Sequence, residues 1–304
     1  MKRVRISQRP NLKIAGAVTA AGVMVIGLTA CGDDTETPSS DSTGTTTGVT
    51  ADTIGPPATT TAPTTPDTEV GFEHPTGADD IVVEIVFEGG FVPADFAFRN
   101  LPVMLVSGDG QQFVQGPQIE IFPAPLLANV LVSDIGESGI QELLDLAAEH
   151  GLLTEREYER NDMIADASDT VVRISANGET YEHRAYALGL GTSDSGEETG
   201  DRAELQAFVT AATSTVAPDA APMEPDTFLV RATPITDTSG YDVEPTIVEW
   251  AVDGVSLADA VGCVAIPAAD VIDLFATSNQ LTFFTEDDVT YQLAVTPQLP
   301  RSSC

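Results

Sequence analysis

Carboxylates are the most abundant reactive groups in this sequence, with 47 Asp and Glu against 13 Lys and Arg in 304 residues. A facing pair of carboxyls is the equipment of acid–base hydrolysis, one holding a proton and the other activating water or attacking directly. Oxygen ligands spread along a loop are also what Ca²⁺ takes, about six to eight at a time. Two stretches group such residues. Glu155, Glu157, Glu159, Asp162, Asp166 and Asp169 are interleaved with Arg156 and Arg160, and Asp237, Asp242 and Glu244 surround Gly240. Neither has the ligand spacing of an EF-hand loop, and in so acidic a chain such groups arise without a ligand.

Other chemistries have weaker footing. A serine nucleophile of the elbow type needs Gly-x-Ser-x-Gly, and Gly191-Thr192-Ser193-Asp194-Ser195-Gly196 misses that spacing by one residue. A Ser-x-x-Lys pair beyond the N-terminus is ruled out, because the only lysines are Lys2 and Lys13. Three histidines occur, His74, His150 and His183, with no His-Glu-x-x-His and no Cys/His cluster for zinc. His150 closes an expected helix, where a cation meets the dipole. His183, between Glu182 and Arg184, reads as a surface residue of a strand. No phosphate-cradling loop is present. No catalytic residue, metal ligand or cofactor is therefore assigned.

The cysteines are more informative. Lys2, Arg3, Arg5, Arg9 and Lys13 precede an apolar stretch from Ile14 to Ala30, which ends in Leu28-Thr29-Ala30-Cys31. A basic start, a short apolar segment and small residues before a cut site make a secretory signal. Leu28, Thr29, Ala30 and Cys31 resemble the lipobox of bacterial lipoproteins. That resemblance implies cleavage after residue 30 and a lipid on the Cys31 thiol. The competing reading is an uncleaved spanning helix, but 17 Ala- and Gly-rich residues fall short of the roughly 20 required. Ser7 to Lys13 echoes a twin-arginine signal, which Gln8 interrupts, so the general export route is expected. With Cys31 modified, Cys263 and Cys304 remain, suited to one disulfide in an oxidising compartment.

A leader with two Lys and three Arg leaves eight Arg against 47 acidic residues, a formal charge of −39. A surface without lysine excludes nucleic acid, whose phosphates demand cations, and peripheral docking on anionic lipid. The covalent anchor is the expected route to the membrane. It places the chain on the extracytoplasmic face of the cell membrane, with partner and oligomeric state open.

The supporting elements follow from pattern. The signal occupies 1–30, and the Thr-, Ser-, Pro-, Gly- and Asp-rich segment 31–78 reads as a disordered tether, too poor in apolar residues to fold. Such a chain spans roughly 35–40 Å root-mean-square. The rest reads as an α+β fold, mainly antiparallel sheet with three packed helices. Ile81–Phe87 is a strand; Leu101–Val106 and Gln112–Val114 flank a Gly108-Asp109-Gly110 turn; Gln118–Phe122 and Val130–Val132 are further strands. Thr170–Leu188 forms a hairpin on Asn177-Gly178, the strongest short hairpin signal. Helices start at Ser138, with Gln141 as capping-box partner, at Asp201 with Glu204, and near Pro267. Phe228–Ala232 and Thr246–Val252 are strands, and Leu281–Val295 is a hairpin turning at Asp287-Asp288. Proline-rich 217–225 is a junction dividing 79–216 from 226–304. Helix-then-hairpin recurs in the two parts, with Thr180-Tyr181 aligned on Thr290-Tyr291. Either the halves are related, or short α+β units recur by chance.

Gly89-Gly90-Phe91-Val92-Pro93, Leu101-Pro102, Gly108-Asp109-Gly110, Gly116-Pro117-Gln118 and Pro297-Gln298-Leu299-Pro300 resemble a group of uncharacterised exported bacterial lipoproteins over most of 81–304. That resemblance implies no activity. The function expected is a membrane-anchored, non-enzymatic binding module of the surface or envelope. The alternative is a hydrolase of envelope polymers working through acidic residues.

Overall fold

β1 (Ile81–Glu88) is a valine- and isoleucine-rich run in which the neighbours Val82 and Val83, and Ile85 and Val86, are all buried, so both faces of the strand are covered. It is the third strand of a seven-stranded antiparallel sheet in the computed structural model, which describes residues 71–93, 95–191, 197–214, 217, 219–238 and 240–304. The other strands are β2 (Met104–Ser107), β3 (Gln111–Gln115), β4 (Val130–Asp134), β5 (Asp169–Ala176), β6 (Glu179–Tyr186) and β7 (Ala221–Pro222). Their order across the sheet is β6-β5-β1-β2-β3-β4-β7. Two helices, α2 (Gly136–Glu149) and α3 (Gly200–Ser214), cover one face. Ile140, Leu144 and Ala147 of α2 and Leu205, Phe208 and Ala212 of α3 are buried with Val83, Ile85, Met104, Val172 and Ile174 of the sheet. Burial of this kind gives about 25 cal/mol per Å² of apolar surface.

A second sheet follows in sequence. It has the order β10-β8-β12-β11-β9, made of β8 (Thr227–Ile235), β9 (Thr246–Glu249), β10 (Val264–Pro267), β11 (Thr282–Glu286) and β12 (Val289–Pro297). Only β9 and β11 run parallel. Helix α4 (Ala268–Ala276) sends Val271 and Phe275 into a core with Phe228, Val230, Trp250 and Phe284. A third cluster of Leu101, Val130 and Leu299 seats the C-terminal tail against strands of the first sheet. All described residues belong to one compact unit, 66–304.

The architecture is α+β, as expected, with differences in detail. A fourth, four-residue helix, α1 (Phe96–Arg99), precedes β2. Gln118–Phe122 is not a strand. The ladder of β3 ends at Gln115, and the chain leaves the sheet to join the other one, where Leu126 N donates to Ser278 O at 3.1 Å. α2 starts before Ser138, and Gln141 does not close a capping box. Its side-chain amide instead binds both backbone groups of Phe72, at 2.8 and 2.9 Å. That bond, with Asn177 N donating to Glu73 O at 2.7 Å, fixes residues 71–78 on the folded unit, although composition placed them in the tether. Leu28, Thr29, Ala30, Cys31 and the tether up to Val70 lie outside the described residues.

The helix–hairpin echo is local. Both hairpins turn on two residues of positive φ, Asn177 and Gly178 at 54° and 80°, Asp287 and Asp288 at 48° and 66°. Yet in the first sheet the second hairpin strand, β6, is the edge, whereas its counterpart β12 is central. The strand orders of the two sheets thus do not correspond.

Candidate functional site

Alternation along β8 decides where the site forms. Phe228, Val230 and Ala232 point into the α4 core, so Leu229 and Arg231 lie on the opposite face. That face, the outward side of β1 and β2, helix α1 and the C-terminal tail enclose a groove of about 500 Å³. Its apolar walls include Phe98, Leu101, Leu105, Leu229 and Pro300, and its polar groups include Glu84, Asn100, Arg231, Arg301 and Ser302. The volume falls in the range of small-molecule sites.

The Arg231 guanidinium lies over the Phe98 ring, 4.5 Å from its centre, a cation–π contact. Its Nε donates to Gly262 O at 3.0 Å, which orients the fork. Arg301 stands in a tight turn, Leu299-Pro300-Arg301-Ser302, closed by Ser302 N donating to Leu299 O at 3.0 Å. Pro300 suits the second position of such a turn. Arg301 occupies the third with φ 61°, where glycine is the unstrained residue. Ser302 Oγ accepts from Leu299 N at 2.7 Å and donates to Leu299 O at 2.6 Å, holding the turn. Beyond it, Cys304 is bonded to Cys263, Cα to Cα 5.2 Å.

Charge makes the groove unusual. Of the eight arginines beyond residue 30, six are paired with a carboxylate: Arg99 with Asp95, Arg156 with Asp201, Arg160 with Asp162, Arg173 with Glu84, Arg184 with Glu88, and Arg202 with Glu198. Among the described residues Arg231 and Arg301 have no carboxylate partner, and both line this groove. Glu84, the acidic residue of its wall, is held at 2.7 Å by Arg173, which also binds Glu88 and Glu182.

The residues singled out for chemistry are otherwise dispersed into structural contacts. His183 is fully buried, not on the surface. The strong charges flanking it follow the outward face of β6, and alternation turns His183 inward. Its Nε2 lies 2.7 Å from Leu152 O, which can only accept, so Nε2 bears the proton and Nδ1 accepts from Tyr158 Oη at 2.8 Å. Burial lowers the His183 pKa, opposed by the Leu152 hydrogen bond, and burial pushes Tyr158 up to about 12. His74 bonds Glu137 at 3.1 Å, and His150 bonds Glu204 at 2.8 Å. The 155–169 acids are likewise engaged in part: Asp162 with Arg160, and Asp169 with Arg184 at 3.2 Å. No group of three or more His, Cys, Asp or Glu converges as metal ligands among the described residues. Ser193 lies outside them, as does Ser239 of the second acidic stretch.

Two carboxyls paired with arginine, Glu88 and Glu198, are shifted toward the ionised form. Burial works to raise Glu88, but hydrogen bonds and charge from Arg184 and Arg173 outweigh it, and its pKa falls below the ordinary value. Glu198 is lowered by its hydrogen bond to Arg202, against desolvation. That pair is buried, with 4% and 6% of the two side chains exposed, and Arg202 also donates to Glu159 O and Tyr186 O.

Sequence reasoning missed Arg231 and Arg301. The rarity of cations was the available signal, since each Arg in so acidic a chain is a choice. Comparison with family models, curated proteins and solved structures finds no match for this chain.

Proposed function

We propose that this chain is an exported, lipid-anchored binding module, held to the membrane through Cys31 and presenting the groove between its two sheets to a ligand without catalysing a reaction. The observation that carries the binding role is the pair Arg231 and Arg301, free of carboxylates in a groove of about 500 Å³. The basic leader and the Leu28-Thr29-Ala30-Cys31 pattern support export and anchoring. A Cys263–Cys304 disulfide fits an oxidising compartment. No helix among the described residues is long and apolar enough to cross a membrane. Binding is favoured over hydrolysis because Glu84 is the one carboxylate lining the groove and it is engaged by Arg173 at 2.7 Å, so no facing carboxyl pair forms there.

The test is expression of the full chain in a bacterium that processes lipoproteins, with an alkyne-tagged palmitate in the medium. The wild type should take up label and begin at Cys31, whereas Cys31→Ala should stay unlabelled and keep its leader. A mature N-terminus elsewhere overturns the anchor. Saturable binding of a small ligand that is lost on filling the groove, by Leu229→Trp, supports the module.

A further inference from the structure

We propose that the groove is a site for a singly charged anionic amphiphile, with its carboxylate or phosphodiester head on Arg231 and Arg301 and its apolar body along the Phe98, Leu105 and Leu229 wall. The proposal rests on reading the groove as the binding site. Three observations carry it. With 47 acidic residues against 13 Lys and Arg, an unpaired arginine is an exception, and both exceptions among the described residues fall in one groove. Arg231 is pre-oriented by Phe98 and Gly262 O, which fixes part of the fork and leaves the remaining N–H groups for an oxyanion. Arg301 stands at φ 61° in a turn closed by Ser302, which holds its backbone at the groove wall.

The apolar wall and the charge of the whole chain narrow the ligand further. A free inorganic anion gains nothing from Phe98, Leu105 and Leu229, whereas an alkyl or aryl body does. A formal charge of −39 beyond residue 31 repels every anion that approaches, in proportion to its charge. One negative charge is enough to engage the fork and suffers the least repulsion. Screening matters beyond about 8–10 Å at physiological salt, while contact with the guanidinium groups is short-range. Raising salt should therefore relieve the long-range repulsion more than it weakens the contact, so binding should hold or tighten slightly.

The chain from residue 32 to 304 keeps every described residue and is the material for the test. Dodecanoate, the more highly charged dodecyl phosphate and uncharged dodecanol are titrated separately below their micelle concentrations, and dodecyl phosphate should bind more weakly than dodecanoate. Dodecanoate should saturate one site, and dodecanol should bind at least about tenfold more weakly, as expected when a charge-assisted pair is lost. Arg231→Gln and Arg301→Gln should each weaken dodecanoate about tenfold without altering dodecanol, and Arg160→Gln, at an exposed paired arginine, should change neither. Equal affinity for dodecanoate and dodecanol overturns the anionic head, and unchanged binding in both arginine variants overturns the site. Acetate, followed through the side-chain nitrogen signals of Arg231 and Arg301, separates the two readings. If acetate moves these signals and dodecanoate binds no tighter, the groove binds anions but the amphiphile is wrong. If neither ligand moves them, the groove is not the binding site.

Discussion

Arg231 and Cys304 are tied together through three bonds: Arg231 Nε donates to Gly262 O, Gly262 precedes Cys263, and Cys263 is disulfide-bonded to Cys304. Arg301 is three residues from the same cysteine. One covalent clasp therefore fixes the segments that bear both unpaired arginines of the groove, one on β8 and the other on the tail. The disulfide spans a sequence separation of 41, worth about 4 kcal/mol by loop-closure entropy. Replacing both cysteines, Cys263→Ser with Cys304→Ser, should lower the unfolding free energy by roughly that amount in urea. It should also weaken dodecanoate more than dodecanol, since the loosened tail carries the charge. Unchanged stability would mean that the Leu299 cluster alone secures the tail.

The buried ion pair gives a second expectation. Glu198→Gln leaves Arg202 buried without its countercharge and should cost about 3–5 kcal/mol in denaturant unfolding. Arg202 would keep its bonds to Glu159 O and Tyr186 O, which places the loss at the low end. Replacing both members, Glu198→Leu with Arg202→Met, should recover much of the loss, because no charge is then buried alone. A double variant weaker than Glu198→Gln would show that the backbone bonds of Arg202 matter more than its charge.

Much of this fold is legible from local chemistry, and the groove is not. Asn177-Gly178 and Asp287-Asp288 adopt the positive φ values their residue types favour, so both hairpins follow from sequence. Cys263 and Cys304 pair, as expected for the two cysteines of the chain beyond the N-terminal segment. Ile119-Glu120-Ile121 mimics a strand by its alternation, but the chain beyond it bonds to Ser278 and Gln280, a partner no local pattern announces. His183 was hidden by the charges beside it, although the same alternation that sets Glu182 and Arg184 outward sends His183 in. The groove joins Glu84, Arg231 and Arg301 from three distant stretches, so only tertiary packing brings them together.

His183 makes stability depend on pH. Its folded pKa lies below the ordinary value of 6.5, with desolvation the largest cause, so the unfolded chain binds the proton more readily. Stability is full above pH 6.5 and falls as pH drops from there toward the lowered folded pKa. Urea unfolding at pH 7.5 and pH 5.5 should show this loss in the wild type. His183→Gln, which cannot titrate, should lower stability at both values and remove the His183 part of the difference. An identical pH difference in both proteins would place the titration elsewhere.

Arg301 offers the sharpest separation of stability from binding. Arg301→Gly relieves a φ of 61° in the third position of a turn already closed by Ser302, so it should stabilise the fold by about 0.5–1 kcal/mol. The same change removes a guanidinium from the groove and should cost about tenfold in dodecanoate affinity. Arg301→Ala keeps the strain while losing the charge, so it should weaken binding equally without the gain in stability. The two variants thus share one effect and differ in the other. Unfolding midpoints read beside binding isotherms check both, and a destabilised Arg301→Gly would mean that the arginine side chain holds the tail through contacts along its stem. In that case the strained position would serve packing of the C-terminal turn, and Arg231 alone would carry the anion.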